Sequence, residues 1–255
     1  MRSVAVATGA ERPLRRLRDR AVDWLAPGLH DGWGEDPAKH RNDLDGEQMR
    51  RLLAYTLRPD ANCIDVGAHQ GDVLTDILRV APRGRHIAYE PLPHLHARLA
   101  ERFPGVDVRN AALSDRDGES SFVHVRDLTQ YSGLRERSYP CAVERELFRV
   151  HTERLDDHLP GGWVPAFMKV DVEGAECLVL AGALRTIAEH RPTIVVEHGL
   201  GGSDHYGDRP ADLYRLLCTE AGLRLFDLDG DGPYSLDRLE ESYASGERWN
   251  YVAHP

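Results

Sequence analysis

From Ala61 onward, apolar positions recur in two alternating rhythms. Cys63, Ile64 and Val66 form a short apolar run of strand length, and Val73, Leu74, Ile77 and Leu78 then repeat at helical spacing. The succession returns along the chain. Arg85 to Tyr89 reads as a second strand, Leu92 to Phe103 as a helix with Leu95, Leu99 and Phe103 inward, and Val106 to Val108 as a third strand. Phe167 to Val172 reads as a fourth strand, Ala175 to Glu189 as a helix turned inward at Val179, Leu180, Leu184 and Ile187, and Thr193 to Val196 as a fifth strand. A helix over Ala211 to Ala221 precedes a final strand pair, Arg224 to Asp229 and Trp249 to Ala253, with a long linker between them. Helices alternating with short apolar strands predict an α/β fold with a parallel sheet joined by right-handed crossovers.

Two regions break the rhythm. In residues 1–60, Leu14, Leu17, Val22 and Leu25 mark one helix that Pro27 and Gly28 end. Gly46 to Leu57 marks a second, with Met49, Leu52, Leu53 and Leu57 on one face and Pro59 as its stop. This stretch reads as an N-terminal helical cap beside a main domain spanning 61–255. Between Leu113 and Pro165, Ser121 to Val125 alternates like a half-exposed strand, Gln130 to Leu134 is turn-like, and Phe148 to Thr152 reads as another strand. Residues 113–165 are therefore expected to be a β-rich insertion, long enough to serve function as well as connection.

Composition narrows the class. The chain has 255 residues, 41% of them hydrophobic and a net charge of −10, which suits one large α/β domain. The acidic balance argues against nucleic-acid binding. The one basic run, Arg12, Arg15, Arg16, Arg18 and Arg20, reads as a solvated helix face. No apolar run reaches membrane-spanning length. The N-terminus places a short apolar patch before arginines, the reverse of a signal peptide, so a cytoplasmic protein is expected. Cys63, Cys141, Cys177 and Cys218 lack metal-site spacing and read as reduced thiols. Lys39 and Lys169 are the only lysines among 32 basic residues.

The candidate chemistry lies at the ends of the predicted strands. Asp65-Val-Gly67-Ala68-His69-Gln-Gly71 joins the first strand to its helix. Such a turn lets a ligand approach bare backbone and offers it the unpaired N–H groups of a helix N-terminus. It is not quite the dinucleotide fingerprint, because His69 stands at the middle glycine place. Glu90, followed by Pro91, ends the second strand, where a carboxylate accepts hydrogen bonds from ribose hydroxyls; the bland alternative is a carboxylate at a helix start. Asn110 and Ala111 end the third strand, where a side-chain amide meets an adenine edge or simply makes a turn. The fourth strand carries Lys169, Asp171, Glu173 and Glu176. The first three alternate, so an extended chain would put them on one face. Charges there demand ion pairing or a function. Glu197 and His198 end the fifth strand over the same crevice. Asp227, Asp229 and Asp231 imitate the start of a calcium loop, but Arg238 holds its twelfth place, so a polar turn is expected.

Taken together, IDVGAHQG, YEP, NAALSD, the run Thr152 to Asp157, KVDVEGAE with its trailing VLAGA, RPTIVVEH and WNYVAHP resemble the FkbM-type methyltransferases, a branch of the class I S-adenosylmethionine-dependent enzymes. That family tends to carry a small residue or Asn where His69 stands. The resemblance implies an α/β, Rossmann-like class I methyltransferase fold, with helices on both faces of a mostly parallel seven-stranded sheet whose last strand is antiparallel, and S-adenosylmethionine as cofactor. It also implies methyl transfer to a hydroxyl of a small molecule such as a sugar, glycoside or polyketide. The implied cofactor-binding set is Asp65, Gly67, Ala68, His69, Gly71, Glu90, Pro91, Asn110, Ala111 and Asp171. Asp171 or Glu173 is expected to orient or deprotonate the hydroxyl, with His198 in support. Mg²⁺ held by the acidic residues is a less favoured variant. Rivals are an NAD-dependent oxidoreductase, which lacks a Tyr-x-x-x-Lys pair here, and a cofactor-binding protein without catalysis. Neither the acceptor nor the oligomeric state is coded.

Overall fold

The computed structural model describes residues 37–126, 131–137, 139 and 142–255. The helix expected over Leu14 to Leu25, the arginine run, Gln130 and Cys141 lie outside them.

The chain begins with α1 (Pro37–Thr56). It starts nine residues before the expected Gly46, because Pro37 suits a first helical turn and the glycine is tolerated inside. There follow β1 (Asn62–Val66), α2 (Asp72–Val80), β2 (Ile87–Tyr89), α3 (Pro93–Arg102) and β3 (Asp107–Arg109). Next come β4 (Ala112–Leu113), β5 (Gly118–Val125), β6 (Arg145–Glu153) and the short α4 (Leu155–His158). β7 (Pro165–Val170), α5 (Glu176–Gly182), α6 (Leu184–His190) and β8 (Thr193–Glu197) resume the parallel pattern. The chain closes with α7 (Pro210–Tyr214), β9 (Arg224–Asp227), α8 (Leu236–Ser245) and β10 (Asn250–His254).

Seven strands form one sheet in the order β3-β2-β1-β7-β8-β10-β9. The first five pair in parallel, while β10 lies antiparallel to both β8 and β9. The strand order reverses between β1 and β7, and ligands of open α/β sheets bind in the crevice outside such a reversal. Alternation along the central strands sends Ile64, Val66, Met168, Val170, Ile194 and Val196 to one face and Cys63, Phe167 and Val195 to the other. Helices cover both faces, so both sets are buried. Leu53 and Leu57 of α1 pack with Cys63 and Phe167, making α1 part of the domain core. Burial of a leucine such as Leu53 contributes roughly 1.5–3 kcal/mol. The insertion is a second sheet, β4-β6-β5, in which β5 and β6 pair antiparallel from Gly118↔Thr152 to Val125↔Arg145.

Four expectations are corrected. The fourth strand ends at Val170, so Asp171 and Glu173 belong to the turn beyond it, and Glu173 takes a left-handed φ of 59°. The single helix expected from Ala175 to Glu189 is two. Gly182 lies hard against the backbone of Ser114, and the carboxylate of Asp156 accepts the N–H groups of Arg185 and Thr186 at 3.0 and 2.8 Å, starting a new helix there. The helix expected over Ala211 to Ala221 is α-helical only to Tyr214 and continues as a π-turn, Arg215–Glu220. The linker before β10 holds α8, capped by the Ser235 hydroxyl. The calcium-loop mimic is spent on ion pairs: Asp227 and Asp229 both bind Arg248, and Asp229 also binds Arg41 of α1.

Candidate functional site

The turn after β1 is built by backbone strain held in place from two sides. Gly67, His69 and Gly71 all have positive φ, at 77°, 47° and 81°. His69 therefore adopts the conformation that a glycine would take at the fingerprint's middle place, which costs a non-glycine residue roughly 1–2 kcal/mol. The N–H groups of Gly67 and Ala68 both donate to the Tyr89 carbonyl at the end of β2. The His69 N–H donates to Glu90 Oε2 at 2.9 Å, and the Leu92 N–H donates to Oε1 at 2.8 Å. Glu90 thus fastens the turn while lining the cavity beside it.

That cavity, about 260 Å³, runs from the turn to the end of β7. Gly67, Ala68, His69, Glu90, Pro91, Ala111, Asp171 and Glu173 line it. Four other expected residues do not. Asp65 is sealed beneath the turn. Gly71 packs on Phe103 and Leu99. Asn110 turns its amide onto the Glu90 and Pro91 carbonyls, clamping the end of β2 at 2.9 and 3.0 Å. His198 is buried with its ring 5.3 Å from that of Tyr243, and burial pushes its pKa down to about 4. The strand direction was legible for these residues, but not which way each side chain leaves the strand end.

The insertion, expected to serve function, supplies a wall whose residues sequence reading did not name as site residues. Phe122, Ser132 and Leu134 of the insertion line the cavity together with Leu92, Ala112 and Leu113. Arg137, also from the insertion, has a largely buried side chain that forms an ion pair with Glu173 and lies 5.1 Å over the Tyr131 ring. Nothing local marks it, because the partners are separated by 36 positions and joined only by folding. The turn that carries Asp171 and Glu173 is fixed by Glu176, whose Oε1 accepts the N–H groups of Val172 and Gly174 at 3.1 and 2.9 Å. Lys169 spans the floor, with its Nζ 3.2 Å from Asp171 Oδ2 and 3.9 Å from Asp65 Oδ1. Among the described residues, oxygens of Asp171, Glu173 and Glu197 approach within 4.8 Å of one another.

The profile of the Methyltransferase FkbM domain matches residues 65–225, more than half of the chain. The chain belongs to this family. A region of the AMB antimetabolite synthetase AmbE of Pseudomonas aeruginosa is 36% identical over 97 residues, 36% of this chain but 4% of that protein. The crystal structure of methyltransferase FkbM from Methylobacillus flagellatus superposes with a TM-score of 0.50 at 18% identity, over 79% of this chain and 46% of that one. The chain thus spans less than half the length of either. Membership carries S-adenosylmethionine as the cofactor, and the dinucleotide alternative is set aside. The residues fit that cofactor: a turn without side-chain bulk at Gly67, a carboxylate at the end of β2 and the start of α2 share one cavity. Among the described residues no helix is long and apolar enough to cross a membrane.

Burial raises the pKa of Glu90 to about 7 against the partial relief of the Leu92 and His69 N–H groups. In the ribose-binding role expected for Glu90, the ionised form is the better acceptor. Affinity for S-adenosylhomocysteine is therefore expected to weaken about tenfold from about pH 7.5 to about pH 5.5, measured by titration calorimetry. Stability runs the other way. A carboxyl whose folded pKa is raised contributes stability that is fully present below its ordinary range and is lost as pH rises through about 7. An affinity that does not change with pH would remove Glu90 from cofactor binding.

Proposed function

We propose that this FkbM-family chain transfers the methyl group of S-adenosylmethionine to a hydroxyl of a small molecule of the sugar, glycoside or polyketide type. The observation that carries the reading is one continuous cavity. The glycine turn and Glu90 line it together with two carboxylates, Asp171 and Glu173, from the turn that follows β7. Bound there, the cofactor supplies an electrophilic methyl on a positively charged sulfur. The chain's task is to hold an acceptor oxygen in line with that methyl and to take its proton as the new bond forms. Asp171 is our candidate for this, because its side chain is partly open, lines the cavity and pairs with Lys169. Glu173 is the second carboxylate within reach of the same space, steadied by Arg137. Gly67, Ala68, His69, Glu90, Pro91 and Ala111 form the cofactor wall. Phe122, Leu134 and Leu92 give the acceptor an apolar surface. We assign no proton to His198, which packs on Tyr243 outside the cavity.

The AmbE likeness supports a natural-product setting, since that protein is named as an antimetabolite synthetase. The test is incubation of the protein and cofactor with a panel of hydroxylated sugars, glycosides and macrolides, scored by mass spectrometry for gain of one methyl. Methylation confined to amine-bearing members, at nitrogen, would overturn the hydroxyl reading.

The reading needs no metal. Two of the three clustered carboxylates already face cations, Asp171 toward Lys169 and Glu173 toward Arg137. Turnover in excess chelator is expected to equal that in buffer; a loss restored by added Mg²⁺ would show that the acids hold an ion.

A further inference from the structure

We infer that Lys169 is a positioning residue that locks the cofactor turn to the neighbouring turn that carries Asp171. It rests on the assignment of this cavity to S-adenosylmethionine, and not on the identity of the acceptor.

Lys169 lies next to the last residue of β7, in register with Asp65 of β1. Its ammonium reaches three groups at once. It donates to the Gly67 carbonyl at 3.2 Å, pairs with Asp171 at 3.2 Å and stands 3.9 Å from Asp65. The first belongs to the cofactor turn, the second to the turn after β7 that packs against it, and the third to the strand beneath. The residue is 9% exposed. Burial opposes its charge, yet Asp171 and Asp65 outweigh that and hold it protonated.

Asp65 explains why a charge is needed. It is 1% exposed, and neither carboxylate oxygen has a close hydrogen-bond partner among the described residues, the Leu74 N–H at the start of α2 giving only partial relief. The groups around it are Lys169, with Asp171, Asp72 and Glu90 as further acids and Cys63 on its own strand. Lys169 is the cation that faces it. An uncompensated buried carboxylate is costly and takes up a proton instead. Chain composition is consistent with a steric demand. Arginine supplies nearly every basic residue, with lysine only at 39 and 169. A compact ammonium fits beneath the Gly67 carbonyl, whereas a planar guanidinium needs a wider fork-shaped space.

The experiment is a double-mutant cycle on S-adenosylhomocysteine affinity, read by titration calorimetry at several pH values as the ratio of each variant's Kd to that of wild type. K169M is expected to weaken binding at least about tenfold near pH 8. The loss should shrink as pH falls, because Asp65 then takes the proton that replaces the lysine's charge. K169M/D65N, with both charges removed, is expected to recover most of the loss and to lose the extra pH dependence. K169R is expected to rescue only partly. An affinity in K169M equal to wild type, an equal loss at every pH, or additive losses in the double variant would each reduce Lys169 to packing and overturn the inference. If K169M does not fold, K169M/D65N carries the test, and its failure to fold or bind overturns the inference. Absence of binding by the wild-type chain overturns the cofactor reading and this inference with it; binding by wild type with an unaltered K169M overturns the inference alone.

Discussion

Gly67→Val is expected to abolish measurable binding of S-adenosylhomocysteine and to lower the melting temperature. A Cβ at this position would stand 2.0 Å from the Asp171 carbonyl oxygen and 3.1 Å from its carbon. Those are backbone atoms of the neighbouring strand end, so no side chain can swing aside. Neither element can retreat. The Asp171 N–H donates to the Val66 carbonyl at 3.2 Å, and the Gly67 and Ala68 N–H groups hold the Tyr89 carbonyl on the other side. A φ of 77° adds strain for any β-branched residue. Overpacking of this kind costs on the order of 3 kcal/mol, a factor of about 100 in affinity if it falls on the bound state. Gly67→Ala should show the same effect in milder form. Titration calorimetry with circular dichroism separates lost binding from lost fold. A folded Gly67→Val protein that binds within a few-fold of wild type would show that the ligand does not lie against this turn.

Asp171→Asn is expected to lower methyl transfer by a factor of about 100 to 10,000, the usual worth of a positioned proton acceptor. The amide keeps the size of the carboxylate but takes no proton. Affinity for S-adenosylhomocysteine should fall far less than turnover, since Lys169 keeps its contacts with Gly67 and Asp65 while His69 and Glu90 remain in place. The split between a large fall in kcat and a small change in cofactor Kd is the signature to seek. It requires an acceptor from the panel and single-turnover kinetics. Glu173→Gln is the paired control. If Asp171→Asn turns over normally while Glu173→Gln does not, the proton goes to Glu173, and Arg137 then acts on the base itself.

The residues legible in the sequence share one property: their signal is local. Val73, Leu74, Ile77 and Leu78 announce α2 because helical periodicity needs only the neighbouring residues. Gly67 and Gly71 announce a turn because few other residues take positive φ readily. Even His69, which departs from the pattern, stands where a glycine conformation was expected. Glu90 was legible for the same reason, as an acid at the end of a strand. The helix break at Ala183 was not, because its cause is the Asp156 carboxylate arriving from α4. Alternation of Lys169, Asp171 and Glu173 misled for a related reason. Period two holds only while a strand continues, and this one stops at Val170 when Glu176 draws the Val172 and Gly174 N–H groups into a turn.

The sequence by itself determined the α/β class, the glycine turn, the acidic strand ends and, through the order of its motifs, the FkbM family. Tertiary structure alone decided which of those residues share a cavity. It sealed Asp65 beneath the turn, set Lys169 between Asp65 and Asp171, turned His198 toward Tyr243 and brought Arg137 from the insertion onto Glu173. The physical reason is that periodicity specifies a side chain's face within its own element. Which charge stands opposite it depends on strand register and on the docking of segments far apart in the chain, and both are set only when the sheet closes on its helices.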